Sequence, residues 1–162
     1  MRSAFGIYDL TVRSKECNVI SISDEFAKSF AESNSLILFR SGYDQSFALA
    51  KDNIIYAICS LKLDNDHAVI SNLCTKRGVK VVKPLLEFSN HFKELYNKIK
   101  FIDFEEERRF GNNKSKYDSI GFTFFKQTMP DEVLWDRNHS SKKICSSFNS
   151  DEKPDISPDH IN

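Results

Sequence analysis

Apolar residues along the first half of the chain fall in short alternating blocks. Along the second half they recur at spacings of three and four. Residues 4–12 are rich in β-formers and predict a first strand. Ser23 is placed to cap a helix that opens with Asp24 and Glu25, where negative charge favours the N-terminus. Ile22, Phe26 and Phe30 follow at intervals of four and predict its buried stripe. Residues 36–39 and 47–50 are short strand candidates, joined by the turn-like Ser41-Gly42-Tyr43-Asp44. Asp52-Asn53 and Asp64-Asn65-Asp66 are hairpin turns, leading into strands at 54–61 and 67–74. The product is an antiparallel meander whose central strand is almost wholly apolar.

The period then changes. Val81, Val82, Leu85, Phe88, Phe92, Leu95 and Tyr96 describe an amphipathic helix, with Pro84 in its first turn, where a missing N–H does no harm. Residues 100–104 predict a strand and Glu105-Glu106-Glu107-Arg108-Arg109 a charged loop. Residues 114–120 predict a short last helix, stopped by Gly121. Residues 122–126 and 132–135 would make a closing hairpin. From Asn138 onward the chain is Ser, Lys, Asp and Pro with little apolar content. We expect one domain over residues 1–137 and a flexible tail over 138–162. The fold class is mixed α+β, a mostly antiparallel sheet flanked by helices. There is no internal repeat.

Composition narrows the functional classes. At 162 residues with 40% hydrophobic content, the chain can build a single core, and fourteen phenylalanines predict aromatic layers within it. Lys+Arg and Asp+Glu stand at 23 each, so net charge leaves no footprint of a nucleic-acid or membrane binder, although a local basic face is compatible with it. Cys17, Cys59, Cys74 and Cys145 form no Cys-x-x-Cys pair, and the histidines are scattered, so no metal site is expected. Cys59 and Cys74 read as small buried hydrophobes. Arg2 and Asp9 interrupt the opening apolar stretch, which does not read as a signal peptide, and no run is long enough to cross a bilayer. A reducing, cytoplasmic setting is the expectation.

Three places could carry chemistry. The first is the junction Cys74-Thr75-Lys76-Arg77-Gly78-Val79-Lys80-Val81, between strand and long helix. Backbone N–H groups at a helix start, with cations nearby, can hold a pyrophosphate. A lone glycine in a basic turn is equally an ordinary connection. The second is Tyr117, on a helix ending in an apolar pair, where a tyrosine is commonly a packed residue with its hydroxyl at the rim. The third is Asp103 with Glu105, on one face of a strand. They could hold a divalent metal, or form a solvated loop with internal ion pairs, and the second reading is preferred. No Ser-His-Asp set, Walker-type loop or cysteine nucleophile stands out.

Lys116-Tyr117-Asp118-Ser119-Ile120-Gly121-Phe122 resembles the Tyr-x-x-Ile/Leu-Gly-Phe close of the last helix in GNAT-type acyl-CoA acyltransferases. That resemblance implies a GNAT-like fold and a tyrosine, here Tyr117, that protonates the departing thiolate. It also implies acyl-CoA pyrophosphate held by the junction, through Cys74, Thr75, Arg77, Gly78 and Lys80. Three blocks are similar to something narrower: Ser71 to Lys76, Glu107 to Asn112 running on to Phe122, and Met129 to Trp135. They resemble the GNAT-like domain at the C-terminal end of phage homing endonucleases, and more distantly Mom-type DNA-modification proteins.

That domain usually carries a Gly-Gly pair at the start of its long helix, where this chain has Lys83-Pro84. Lysine adds a side chain and proline removes an N–H, so the resemblance implies weak or lost acyl-CoA binding. The leading expectation is a GNAT-fold module that no longer acylates and binds nucleic acid or protein. Lys76, Arg77, Lys80, Lys83, Arg108 and Arg109 are its candidate phosphate contacts. The alternatives are an active N-acyltransferase using acetyl-CoA or another acyl-CoA on a nucleobase or protein amine, and a small protein that binds a host factor.

Overall fold

The computed structural model describes residues 7–35, 38–105 and 117–123, together with the backbone of two strands at 132–136 and 141–145. The chain divides into two units, Met1–Phe124 and Phe125–Asn162.

The first unit is built on the apolar meander. Strands β1 (Leu10–Arg13), β2 (Asn18–Ile22), β3 (Gln45–Lys51), β4 (Ile54–Asp64), β5 (His67–Thr75), β6 (Val79–Val82) and β7 (Phe101–Phe104) alternate with helices α1 (Asp24–Asn34) and α2 (Pro84–Leu95). The main sheet has the order β2-β3-β4-β5-β7, antiparallel except for the parallel β5–β7 pair. Asp52, Asn53 and Asn65 all adopt positive φ, the conformation that tight hairpins demand and that Asn and Asp tolerate. Among the described residues no helix is long and apolar enough to cross a membrane.

Residues 56–61 of β4 are buried on both faces, so the sheet needs cover on each side. On one side lie Phe47, Leu49, Ala57, Cys59, Leu61 and Ile70, packed with Phe88 and Phe92 of α2. Phe47 meets Phe92 edge-on at 4.9 Å. On the other side Ala48, Ile58 and Cys74 receive Ala27 and Ala31 of α1. The expected stripe of Ile22, Phe26 and Phe30 holds in part: Ile22 and Phe30 pack at the margin of this cluster, and Phe26 does not. The small pair Ala27 and Ala31 faces the sheet and lets the helix lie close. Phe26 remains 45% exposed and stacks on Phe30. The cap on α1 forms as expected, with Ser23 Oγ accepting from the Phe26 amide at 3.2 Å.

Other expectations change in detail. The first strand begins at Leu10; residues 7–9 precede it and 1–6 lie outside the described residues. Leu38 and Phe39 belong to no strand. The helix predicted near residues 83–97 runs from Pro84 to Leu95, but Val81 and Val82, read as part of its pattern, lie outside it. Val79–Val82 is a strand, because its β-branched residues pair in parallel with β1, Leu10 against Val79 through Arg13 against Val82. Lys83, at φ 54°, turns the chain from that strand into α2, and Pro84 takes the first helical position.

Only the closing turn of the last predicted helix is described. Phe122 N–H donates to the Tyr117 carbonyl (3.1 Å) and Gly121 N–H to that of Asp118 (3.2 Å), while Gly121 sits at φ 89°. This is a Schellman close, the stop expected at Gly121. Phe122 and Thr123 then belong to no strand, and Phe122 packs against the core instead.

In the second unit, β8 (Glu132–Asp136) pairs antiparallel with β9 (Ser141–Cys145). The predicted partner segment 122–126 falls outside the described residues beyond Thr123. The boundary expected at Asn138 falls between these two strands, and residues 146–162 lie outside the described residues.

Phe92 is fully buried between the sheet and α2. Phe92→Ala is expected to cost about 3–5 kcal/mol in urea denaturation. Gly121→Ala meets nothing within 4 Å, so its cost is the backbone's alone. We expect a loss of about 1 kcal/mol, read from the shift in the urea midpoint.

Candidate functional site

The parallel strands β5 and β7 run together only from His67 and Phe101 to Ile70 and Phe104. One more bond, from the Glu105 amide to the Ile70 carbonyl at 3.0 Å, marks where they part. Just beyond, the β4–β5 register shifts between the Ile58–Cys74 and Ser60–Ser71 pairs, and Asn72 adopts φ 52°. Asparagine suits that left-handed position, and its amide is fully used there. Its Oδ1 accepts from the Arg40 amide at 2.8 Å. Its Nδ2 donates to the Arg40 carbonyl at 2.7 Å and to Ser60 Oγ at 2.9 Å.

Behind it lies a buried hydroxyl chain. Ser60 Oγ and Ser46 Oγ are 3.4 Å apart, and Ser46 Oγ donates to Asp24 Oδ1 at 2.7 Å. This chain opens on a cleft of 280 Å³ lined by Asp24, Lys28, Arg40, Tyr43 and Ser60 among others. Tyr43 donates its hydroxyl to Glu105 Oε2 at 3.2 Å. Burial raises the Tyr43 pKa above the ordinary tyrosine value, opposed by a hydrogen bond with Ser71. Sequence reading missed this set, whose only signal was polar Ser46, Ser60 and Asn72 inside otherwise apolar strands.

Tyr117 is half-buried, with its ring 5.4 Å from that of Phe104. It thus stands at the end of β7 where that strand leaves β5.

The predicted cofactor junction is built differently from the expectation. The chain does not pass from β5 directly into the helix, because β6 intervenes. Arg77 and Gly78 lie in the β5–β6 turn, Lys80 on β6 and Lys83 at the head of α2. Thr75 ends β5. The amides of Lys76, Arg77 and Val79 are already used. Lys76 N–H donates to the Tyr56 carbonyl (2.8 Å) and Val79 N–H to that of Lys76 (3.1 Å). Arg77 N–H donates to Asn34 Oδ1 (2.8 Å).

Gly78 sits at φ 78°, and a Cβ there would come within 3.0 Å of Asp9 Oδ2. Its carbonyl accepts from the Asp9 amide at 2.8 Å. This glycine therefore serves the close approach of the segment leading into β1. Cys74 is buried, and burial pushes its thiol pKa up to about 11, so it stays a protonated core residue.

The side chains of Lys76, Arg77, Lys80 and Lys83 are all exposed, whereas Arg108 and Arg109 lie outside the described residues. Asp103 is engaged by His67 Nδ1 at 2.9 Å, and Glu105 by Tyr43. Among the described residues no group of His, Cys, Asp and Glu could hold a metal ion.

No protein-family model matches the sequence, and no curated protein matches it. Solved structures are similar in shape. A transcriptional regulator from Bacillus halodurans C-125 superposes with a TM-score of 0.52 at 9% identity, over 72% of this chain and 99% of that one. Glucosamine-6-phosphate N-acetyltransferase from Arabidopsis thaliana gives 0.49 at 12% identity, over 72% and 97%. A GNAT-family acetyltransferase from Streptococcus pneumoniae TIGR4 gives 0.48 at 8% identity, over 65% and 86%. The first is a likeness of fold alone, and the two acetyltransferases, below 0.5, add no weight of their own. The chain is a mixed α+β protein in which an antiparallel half is followed by a helical crossover into a parallel strand, the GNAT-like order.

Proposed function

We propose that this chain is a GNAT-fold protein that does not acylate and serves as a binding module for nucleic-acid phosphate. The observation carrying this reading is the closed turn at Lys76–Gly78. A pyrophosphate cradle needs successive N–H groups aimed at one anion. Here the amides of Lys76, Arg77 and Val79 bond within the protein, and the Asp9 carboxylate lies against Gly78. An anion held by the backbone would meet a like charge at Gly78 and find the amides of Lys76, Arg77 and Val79 engaged.

The side chains of Lys76, Arg77, Lys80 and Lys83 stay exposed around that turn, and cations on flexible stems can contact phosphate without backbone help. The homing-endonuclease affinity of this reading rests on the sequence blocks alone, chiefly Arg108-Arg109 and Tyr117 to Phe122.

One observation favours the enzyme instead. Tyr117 beside Phe104, where β5 and β7 part, is a reasonable position for a residue that protonates a leaving group.

Calorimetry separates the two. Acetyl-CoA is expected to bind more weakly than about 1 mM, if at all. An oligonucleotide is expected to raise the melting temperature at low salt and to lose that effect as salt rises. Micromolar acetyl-CoA binding, abolished by Gly78→Trp, would establish the enzyme reading in its place.

A further inference from the structure

The cations assigned to phosphate come from the β5–β6 turn, from β6 and from the head of α2. The parallel pairing of β6 brings a second strand beside them. Partners in a parallel pair stand side by side on the same face. Thr11 is registered with Lys80 and Arg13 with Val82, and all but half-buried Val82 are exposed. Val12 and Val79 turn inward and are buried. The outer face of this two-stranded ribbon therefore presents Lys80 and Arg13 together.

The charge continues past both ends. Lys76 and Arg77 precede β6. Beyond the other end, Ser14 Oγ donates to the Lys83 carbonyl at 3.1 Å, which brings Lys83 beside exposed Lys15. The nearby acids are Asp9 at the Gly78 end, and Glu16 and Glu87 at the other. Glu16 is already paired with Lys51 at 2.8 Å.

We infer that the outer face of the β1–β6 ribbon is a track for one nucleic-acid strand, with Arg13 and Lys15 as phosphate contacts alongside Lys76, Arg77, Lys80 and Lys83. This rests on the reading given under Proposed function and extends it to a strand remote in sequence. Arg13 and Lys80 stand diagonally on that face, because Arg13 is registered with Val82, two positions beyond Lys80. With Lys76 and Arg77 before one end and Lys83 and Lys15 beyond the other, these cations follow one backbone without reading its bases.

The test is fluorescence anisotropy of the full chain with a labelled oligothymidylate of about 12 nucleotides, titrated between about 50 and 200 mM salt. Arg13→Ala and Lys80→Ala are each expected to weaken binding about fivefold at 0.1 M salt and to flatten the log–log salt slope by about 0.7. Thr11→Lys, which adds a cation directly beside Lys80, is expected to tighten binding about fivefold and steepen the slope by the same amount. This gain does not depend on a damaged fold. Lys62→Ala, on β4 opposite Val69, serves as the control and leaves binding unchanged.

If the oligonucleotide binds but Arg13→Ala and Thr11→Lys behave like wild type, the ribbon is not the track, while the binding-module reading stands. If the wild-type chain shows no binding at the lowest salt, both fall.

Discussion

Strand β4 cannot be left with a wet face. From Tyr56 to Leu61 every residue is buried, whichever way its side chain points. A sheet with such a centre must be covered twice, and the two covers use different chemistry. On the α2 side the contact is aromatic, Phe47, Phe88 and Phe92 filling a thick layer. On the α1 side it is alanine against Ala48, Ile58 and Cys74, with Phe30 at the margin, so that helix lies close and leaves Phe26 toward water. Thick packing on one face and thin packing on the other hold the sheet between helices.

Local features were the most legible in the sequence. Ser23, the Asp52-Asn53 turn, Pro84 and Gly121 each act within four or five residues of themselves, and each does in the fold what its chemistry requires. What sequence could not supply was the partner of a distant segment. Val81 and Val82 fit the helical spacing of Leu85 and Phe88 as well as they fit a strand. The decision lies with β1, far upstream, which offers them a ladder. The Asp24–Ser46–Ser60–Asn72 chain was hidden for the same reason, since its members come from α1 and three different strands. The α1 stripe was right for Ile22 and Phe30 but missed Ala27 and Ala31 and misplaced Phe26, for another reason. Hydrophobicity ranks phenylalanine above alanine, whereas close packing on a flat sheet favours the smaller residue.

The candidate site shows how a short insertion of strand changes a helix entrance. A turn that runs straight into a helix leaves the first amides of that helix unbonded and pointing outward. With Val79–Val82 drawn into a ladder, the turn and the helix head are separated, and the amides of Lys76, Arg77 and Val79 bond within the protein. The basic character of the segment survives this change, because side chains on a ribbon face keep their freedom when the backbone beneath them is engaged. Around this turn it is the lysine and arginine side chains, and not the amides of Lys76, Arg77 and Val79, that stay open to solvent.

The hydrogen bond from Ser14 to Lys83 spans 69 positions of the chain. The meander between them is made of hairpins whose strands are neighbours in sequence, and such pieces close early in folding because little chain entropy is lost. The β1–β6 ribbon has to wait until that meander exists. It buries little beyond Val12 and Val79, so it needs less free energy to detach than the fully covered centre of the sheet. Amide exchange in Leu10–Arg13 and Val79–Val82 therefore runs ahead of exchange in β3, β4 and β5. A ligand that bridges the two strands would slow that exchange without touching the core.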